Sequence, residues 1–187
     1  MMLIRFLVVF SIVLLCNNCA LSQQTPPTSP PSLVESTPVP PMKSHGKQIS
    51  GDYSVELVSS AAMGWYESRD GKFVWVDPAA NTNLHLEVIL KNTIDQRPLP
   101  DAGVSLFITD QNNRVIISKP MIMLWSIPGY HYGNNFTLPA QGNYTVTISV
   151  TPPTFARHHK QAGNRFSSPA QVTFQSVALK PEGQFKE

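Results

Sequence analysis

Cysteine is nearly absent from this chain of 187 residues, since it has only Cys16 and Cys19, close together near the N-terminus. The rest of the sequence therefore has no disulfide to stabilise it and no thiolate to offer a metal. Charged residues are also few and nearly balanced, with 12 acidic and 14 basic side chains. The basic residues are scattered, which excludes the basic stripe of a nucleic-acid-binding protein and the basic amphipathic segment of a membrane-surface protein.

The usual catalytic motifs are missing as well. The chain has no Gly-rich phosphate loop, no Gly-x-Ser-x-Gly elbow and no His-Glu-x-x-His helix. We therefore do not expect an ordinary enzyme. A metal redox role stays open, because redox tuning depends on contacts around the ligands that a sequence does not reveal.

The one long apolar run is too short for a transmembrane helix. It covers residues 7–15, follows a short basic segment and precedes Ala20-Leu21-Ser22, whereas a span needs roughly 20 apolar residues. We interpret residues 1–22 as a cleaved signal peptide and expect an exported protein. A lipoprotein anchored through Cys16 or Cys19 is the competing interpretation, although neither cysteine has the usual lipidation context.

Proline is concentrated in the next segment, where seven prolines lie between residues 26 and 41. Because proline fixes φ and removes a backbone donor, residues 23–48 are predicted to be an extended linker. The remaining residues, 49–187, are sufficient for one domain with its own core.

Within that domain the apolar residues recur with a period near two and no segment has a helical period. Tyr144, Val146, Ile148 and Val150 alternate with hydroxyl residues, and similar short runs are separated by turn-forming clusters. The pattern predicts an all-β protein with an immunoglobulin-like antiparallel β-sandwich.

Metal-ligating side chains are concentrated in the same strand-forming region. His85 and Glu87 are two apart and would project from one face of a strand, and Met121 and Met123 share this spacing. Each pair alone is more typical of a hydrogen-bonded surface pair or of core filling. Together with the other histidines they indicate a metal site, because imidazole and thioether suit copper, while a carboxylate extends the choice to iron or manganese.

Several of these motifs, in this order, resemble a known family. The run from residue 83 to residue 174 is similar to the small periplasmic proteins that accompany bacterial high-affinity ferrous-iron permeases; the motifs are His85-Leu86-Glu87, Met121-Ile122-Met123, His131-Tyr132-Gly133-Asn134 and Phe155-Ala156-Arg157-His158. The resemblance implies an immunoglobulin-like homodimer that binds copper near the subunit interface and assists an inner-membrane iron permease. It also implies the metal ligands His85, Met123, His131 and His158, with Glu87 beside them.

The segment from Leu124 to Tyr130 departs from the family pattern, since it lacks the acidic residues expected before His131. This loss affects an iron subsite more than a copper site. We expect Met123 rather than Met121 to be the ligand, because it is nearer to His131, and we expect Trp125 and Tyr130 to lie at the dimer interface.

Three hypotheses follow. The chain is a copper- or iron-binding accessory of ferrous-iron uptake, a copper-handling chaperone or resistance protein, or a metal-free β-sandwich for protein contacts.

Overall fold

The structure is a computed structural model that describes residues 38–160 and 162–186. The predicted signal peptide, both cysteines and linker residues 23–37 lie outside the described residues. No helix in the described part is long and apolar enough to cross a membrane.

The described residues form eleven strands and no helix. The strands are β1 (Lys43–Ser50), β2 (Tyr53–Ser60), β3 (Trp65–Arg69), β4 (Lys72–Val76), β5 (Leu84–Asn92), β6 (Gly103–Thr109), β7 (Val115–Pro120), β8 (Ile122–Ser126), β9 (Gly129–Phe136), β10 (Gly142–Thr151) and β11 (Ala170–Leu179).

Two main sheets contain most of these strands. One has the order β1-β2-β5-β9-β8 and the other the order β11-β10-β6-β7, while β3 and β4 form a separate hairpin. Every strand pair is antiparallel. Apolar side chains from both main sheets form one buried core cluster, which confirms the predicted β-sandwich.

Strand β1 begins before the expected start of the domain. The sequence analysis assigns residues 23–48 to the linker, whereas the structure pairs Lys43 with Ser59 of β2. The last proline of the linker is Pro41, so the following residues have the backbone N–H groups that a ladder requires. The ladder shifts register between Ser44 and Lys47, where Gly46 has a φ of 105°.

The segment from Leu124 to Tyr130 forms part of a hairpin. Strands β8 and β9 are joined by a two-residue turn at Ile127 and Pro128, and Ser126 pairs with Gly129 at the turn. Gly129 has a φ of 129°, a conformation that favours glycine. Strand β8 is the last strand in the order of the five-stranded sheet and is therefore an edge strand.

The two faces of strand β5 differ in polarity, since one carries apolar side chains and the other carries His85 and Glu87. Leu84, Leu86 and Val88 point into the core between the sheets. Because side chains alternate along a strand, His85 and Glu87 point to the opposite, outer face of the same sheet.

Candidate metal centre

Strand register brings three metal-ligating side chains together on the outer face of the five-stranded sheet. His85 pairs with Asn135, and Glu87 pairs with Gly133 of β9. His131 is two residues before Gly133, so it projects from the same face beside Glu87. All three side chains are buried, with exposures of 0% for His85, 5% for Glu87 and 7% for His131.

One carboxylate oxygen lies between the two imidazoles. Glu87 Oε1 is 3.6 Å from His85 Nε2 and 3.8 Å from His131 Nε2. These distances are too long for hydrogen bonds. They suit atoms that share one ion, since metal bonds to such ligands measure about 2.0–2.2 Å. The three ligand atoms all lie within 4.8 Å of one another.

Asn135 determines which nitrogen of His85 is free. Its Nδ2 donates to the carbonyl of Met63 at 2.7 Å, and its Oδ1 accepts from the Met63 backbone N–H at 3.2 Å. The same Oδ1 lies 2.8 Å from His85 Nδ1, so Nδ1 must carry the proton. The lone pair is then on Nε2, which is buried and has no hydrogen-bond partner among the described residues.

His131 is held in the same way, though with longer contacts. Its Nδ1 lies 3.4 Å from the carbonyl of Gly129 and 3.4 Å from Ser126 Oγ. A proton on Nδ1 that is shared with the Gly129 carbonyl leaves Nε2 free to face Glu87. Both imidazoles therefore offer the same type of nitrogen to one point.

Burial controls the protonation of this group. The pKa of His85 is lowered to about 4, first by desolvation, while the hydrogen bond to Asn135 raises it and the charge of His131 lowers it. Burial raises the pKa of the Glu87 carboxyl, and the neighbouring His131 opposes that rise. His85 is thus neutral near pH 7, as a metal ligand must be.

Gly133 keeps the space between the ligands open. A Cβ atom at this position would lie 2.8 Å from His85 Nε2 and 2.9 Å from Leu124 Cδ1. Real side chains do not approach so closely, so any residue larger than glycine would displace one of these neighbours.

The donor set fits a first-row transition metal. Two imidazoles and one carboxylate suit copper, iron or zinc, and the buried Nε2 of His85 has no hydrogen-bond partner among the described residues. Such an ion would be held by His85, Glu87 and His131.

Comparison with known proteins agrees with this chemistry. Residues 74–180 match the model of a family described as Fe2+ transport protein. The chain belongs to the Fe2+ transport protein family. No curated protein sequence matches the chain.

Solved structures of similar fold include FetP of uropathogenic Escherichia coli in its as-isolated state. It is 22% identical, has a TM-score of 0.60, and the match covers 75% of this chain and 99% of FetP. The copper-reconstituted P19 protein of Campylobacter jejuni is 17% identical with a TM-score of 0.61, over 78% of this chain and 99% of P19. At these identities the likeness shows the fold.

The structure does not bring Met123, Met121 or His158 to the three ligands. Met123 pairs with Tyr132, whose hydroxyl donates to the carbonyl of Leu99 on the core side, so Met123 projects from the face opposite to His131. Its sulfur accepts from the backbone N–H of Asp101 at 3.5 Å. Met121 is buried in the core cluster. His158 follows β10 in an irregular segment and is not part of the three-residue group.

A cleft connects the centre with solvent. It has a volume of about 350 Å³, and its walls include Glu87, His131, Ile89, Glu56 and Met42. Glu56 is a second carboxylate on this face that the sequence analysis did not select. Alternation along β2, together with the pairing of Glu56 with Ile89, places it there.

Substituting Gly133 tests whether the space between the ligands is needed. Gly133→Ala is expected to weaken Cu(II) affinity at least tenfold, because the new methyl group displaces His85 or Leu124. Gly142→Ala is the control, since its Cβ would meet nothing closer than 3.5 Å. Calorimetric titration measures both, and equal Cu(II) affinities for the two variants and the wild type would contradict the geometry.

The metal-free protein should lose stability in mild acid because of His85. Between about pH 6.5 and pH 4 the unfolded chain protonates this histidine and the folded chain does not, so the free energy of unfolding falls as pH falls. The loss from this group is on the order of 3 kcal/mol. The raised pKa of Glu87 acts in the opposite sense, because the folded carboxyl takes up a proton first as pH falls.

Urea unfolding in the presence of a chelator, at pH 7.5 and pH 5, isolates the histidine when wild type is compared with His85→Gln. We expect the wild type to lose more stability on acidification than the variant. Equal losses would mean that His85 is not held neutral.

Proposed function

We propose that this protein is a periplasmic metal-binding accessory of ferrous-iron uptake that binds copper at His85, Glu87 and His131. The observation that carries the proposal is the convergence of two imidazole Nε2 atoms on one buried carboxylate oxygen, at 3.6 and 3.8 Å. Iron and manganese are further candidate ions, because the carboxylate suits harder cations.

The choice of copper has support from outside the chain. One solved structure of FetP is a copper-bound variant with 19% identity and a TM-score of 0.58, and the P19 structure is copper-reconstituted. The donor set here has the imidazoles that copper favours. Family membership supports the link to Fe2+ transport and an inner-membrane permease as partner.

The metal-free alternative has a specific difficulty. A domain used only for protein contacts has no need of a buried carboxylate beside a buried imidazole nitrogen without a hydrogen-bond partner, since each such group costs about 1–3 kcal/mol. A bound ion removes that cost. The copper-handling alternative uses the same ligands, so only a cellular test separates it from iron uptake.

The binding test compares His131→Ala with His45→Ala, a strand histidine whose Nε2 contacts Ser59 Oγ instead of the centre. Copper at a hundredfold excess over its dissociation constant stabilises the folded state by about 2.7 kcal/mol. This stabilisation raises the melting temperature. We expect the rise for the wild type and for His45→Ala, and we expect no rise for His131→Ala. No rise in the wild type would overturn the proposal.

The same variants separate the two cellular roles. A strain that lacks the protein should grow poorly when ferrous iron is limiting, and wild type or His45→Ala should restore growth while His131→Ala should not. Sensitivity to copper with normal growth on limiting iron would favour the copper-handling protein instead.

We also propose a homodimer formed through the β8–β9 hairpin. Trp125 and Tyr130 are directly paired in this hairpin, which forms one edge of the five-stranded sheet. Their side chains are 68% and 48% exposed. Large aromatic side chains are enriched in the buried centres of interfaces. Met123 and His158 stay predicted ligands, and no contact among the described residues supports either of them.

Trp125→Glu should convert the dimer to a monomer, because a carboxylate cannot be buried at such an interface without a partner. Phe73→Glu is the control, since Phe73 is 78% exposed on the separate β3–β4 hairpin. Sedimentation velocity reads the outcome. A wild-type protein that is monomeric at high concentration, or a Trp125→Glu variant that stays dimeric, would contradict the proposal.

A further inference from the structure

The side of the centre that faces β8 is closed by a hydrocarbon. Leu124 pairs directly with His131 and so projects from the same face of the sheet. Its Cδ1 lies 2.9 Å from the point where a Gly133 Cβ would be, and His85 Nε2 lies 2.8 Å from that same point. Leu124 is thus a β8 side chain that contacts the space between the ligands.

Two of the described thioethers are held elsewhere in the fold. Met123, the neighbour of Leu124, is on the opposite face, with its sulfur bound by the N–H of Asp101. Met121 is 7% exposed in the core between the sheets. Met42 lines the outer cleft at 48% exposure, and Met63 contacts Asn135 through its backbone.

This arrangement has a consequence for the oxidation state of a bound ion. Cu(I) is a soft ion that thioether and thiolate ligands select, whereas imidazole and carboxylate also hold harder divalent ions. A one-residue change of register in β8 would place a sulfur where Leu124 now lies.

We infer that Leu124 makes the centre selective for divalent ions and that it binds Cu(II) in preference to Cu(I). The inference rests on the proposed function, because it concerns the same centre. It assigns Leu124 as a specificity-determining residue, because its hydrocarbon side chain supplies no ligand atom on the side of the centre that faces β8.

Leu124→Met tests the assignment, because it adds a thioether on the face that contacts the centre and keeps a similar volume. Leu124→Ile is the matched control, which perturbs packing without adding sulfur. Cu(II) affinity is measured by calorimetry and Cu(I) affinity by competition with a coloured Cu(I) chelator under anaerobic conditions. Thermal melting without metal confirms that each variant is folded.

The wild type and Leu124→Ile should bind Cu(II) at least tenfold more tightly than Cu(I). Leu124→Met should gain at least tenfold in Cu(I) affinity with Cu(II) affinity nearly unchanged. A tenfold gain in Cu(I) affinity relative to Cu(II) affinity raises the Cu(II)/Cu(I) potential by about 59 mV. This shift gives an independent electrochemical measurement.

Two outcomes would overturn the inference. One is a wild-type protein that binds Cu(I) as tightly as Cu(II); loss of that affinity in Met42→Leu or Met63→Leu would then identify the sulfur responsible. The other is a folded Leu124→Met variant that binds Cu(II) but gains no Cu(I) affinity. A wild type that binds no divalent ion would overturn the proposed function as well, so the two failures are distinguishable.

Discussion

The fixed orientation of His85 is the constraint on which the centre depends. A fully buried imidazole needs partners for both nitrogens, and here Asn135 satisfies only Nδ1. The side-chain amide of Asn135 cannot flip, because the backbone N–H of Met63 donates to its oxygen and the backbone carbonyl of Met63 accepts from its nitrogen. The segment after β2 therefore determines which tautomer of His85 is present, and the free Nε2 is aimed at Glu87.

The sheet supplies the rest of the geometry. The pairing of β5 with β9 places Gly133 opposite Glu87, so the strand has no side chain where the ligands converge. The two-residue turn at Ile127 and Pro128 then sets the register of β8, and that register determines that Leu124 instead of Met123 faces the ligands. A fold that is common to many functions thus acquires its chemistry from a few register positions on the outer face of one sheet.

Local periodicity was enough to predict part of this molecule. Strand β10 coincides with the alternation from Tyr144 to Val150, and His85 and Glu87 share a face as their spacing requires. The β8–β9 hairpin was not predicted, because Pro128 and Gly129 are typical of loops as well as of hairpin turns. The face of Met123 relative to His131 depends on the length of that turn, and a difference of one residue exchanges the two faces.

Asn135 was also missed, although a signal for it exists. It lies two residues after Gly133 and four after His131, so alternation along one strand places all three positions on the face of the metal ligands. Its role additionally requires Met63, which is 72 residues away in the chain, and such a contact comes from the tertiary fold alone.

The most direct test of this account is a crystal of the protein soaked with Cu(II), with anomalous scattering recorded at the copper edge. The account predicts one anomalous peak between His85 Nε2, His131 Nε2 and the carboxylate of Glu87, with Leu124 beside it. A peak on the sulfur of Met123, or at His158 without His85, would contradict it.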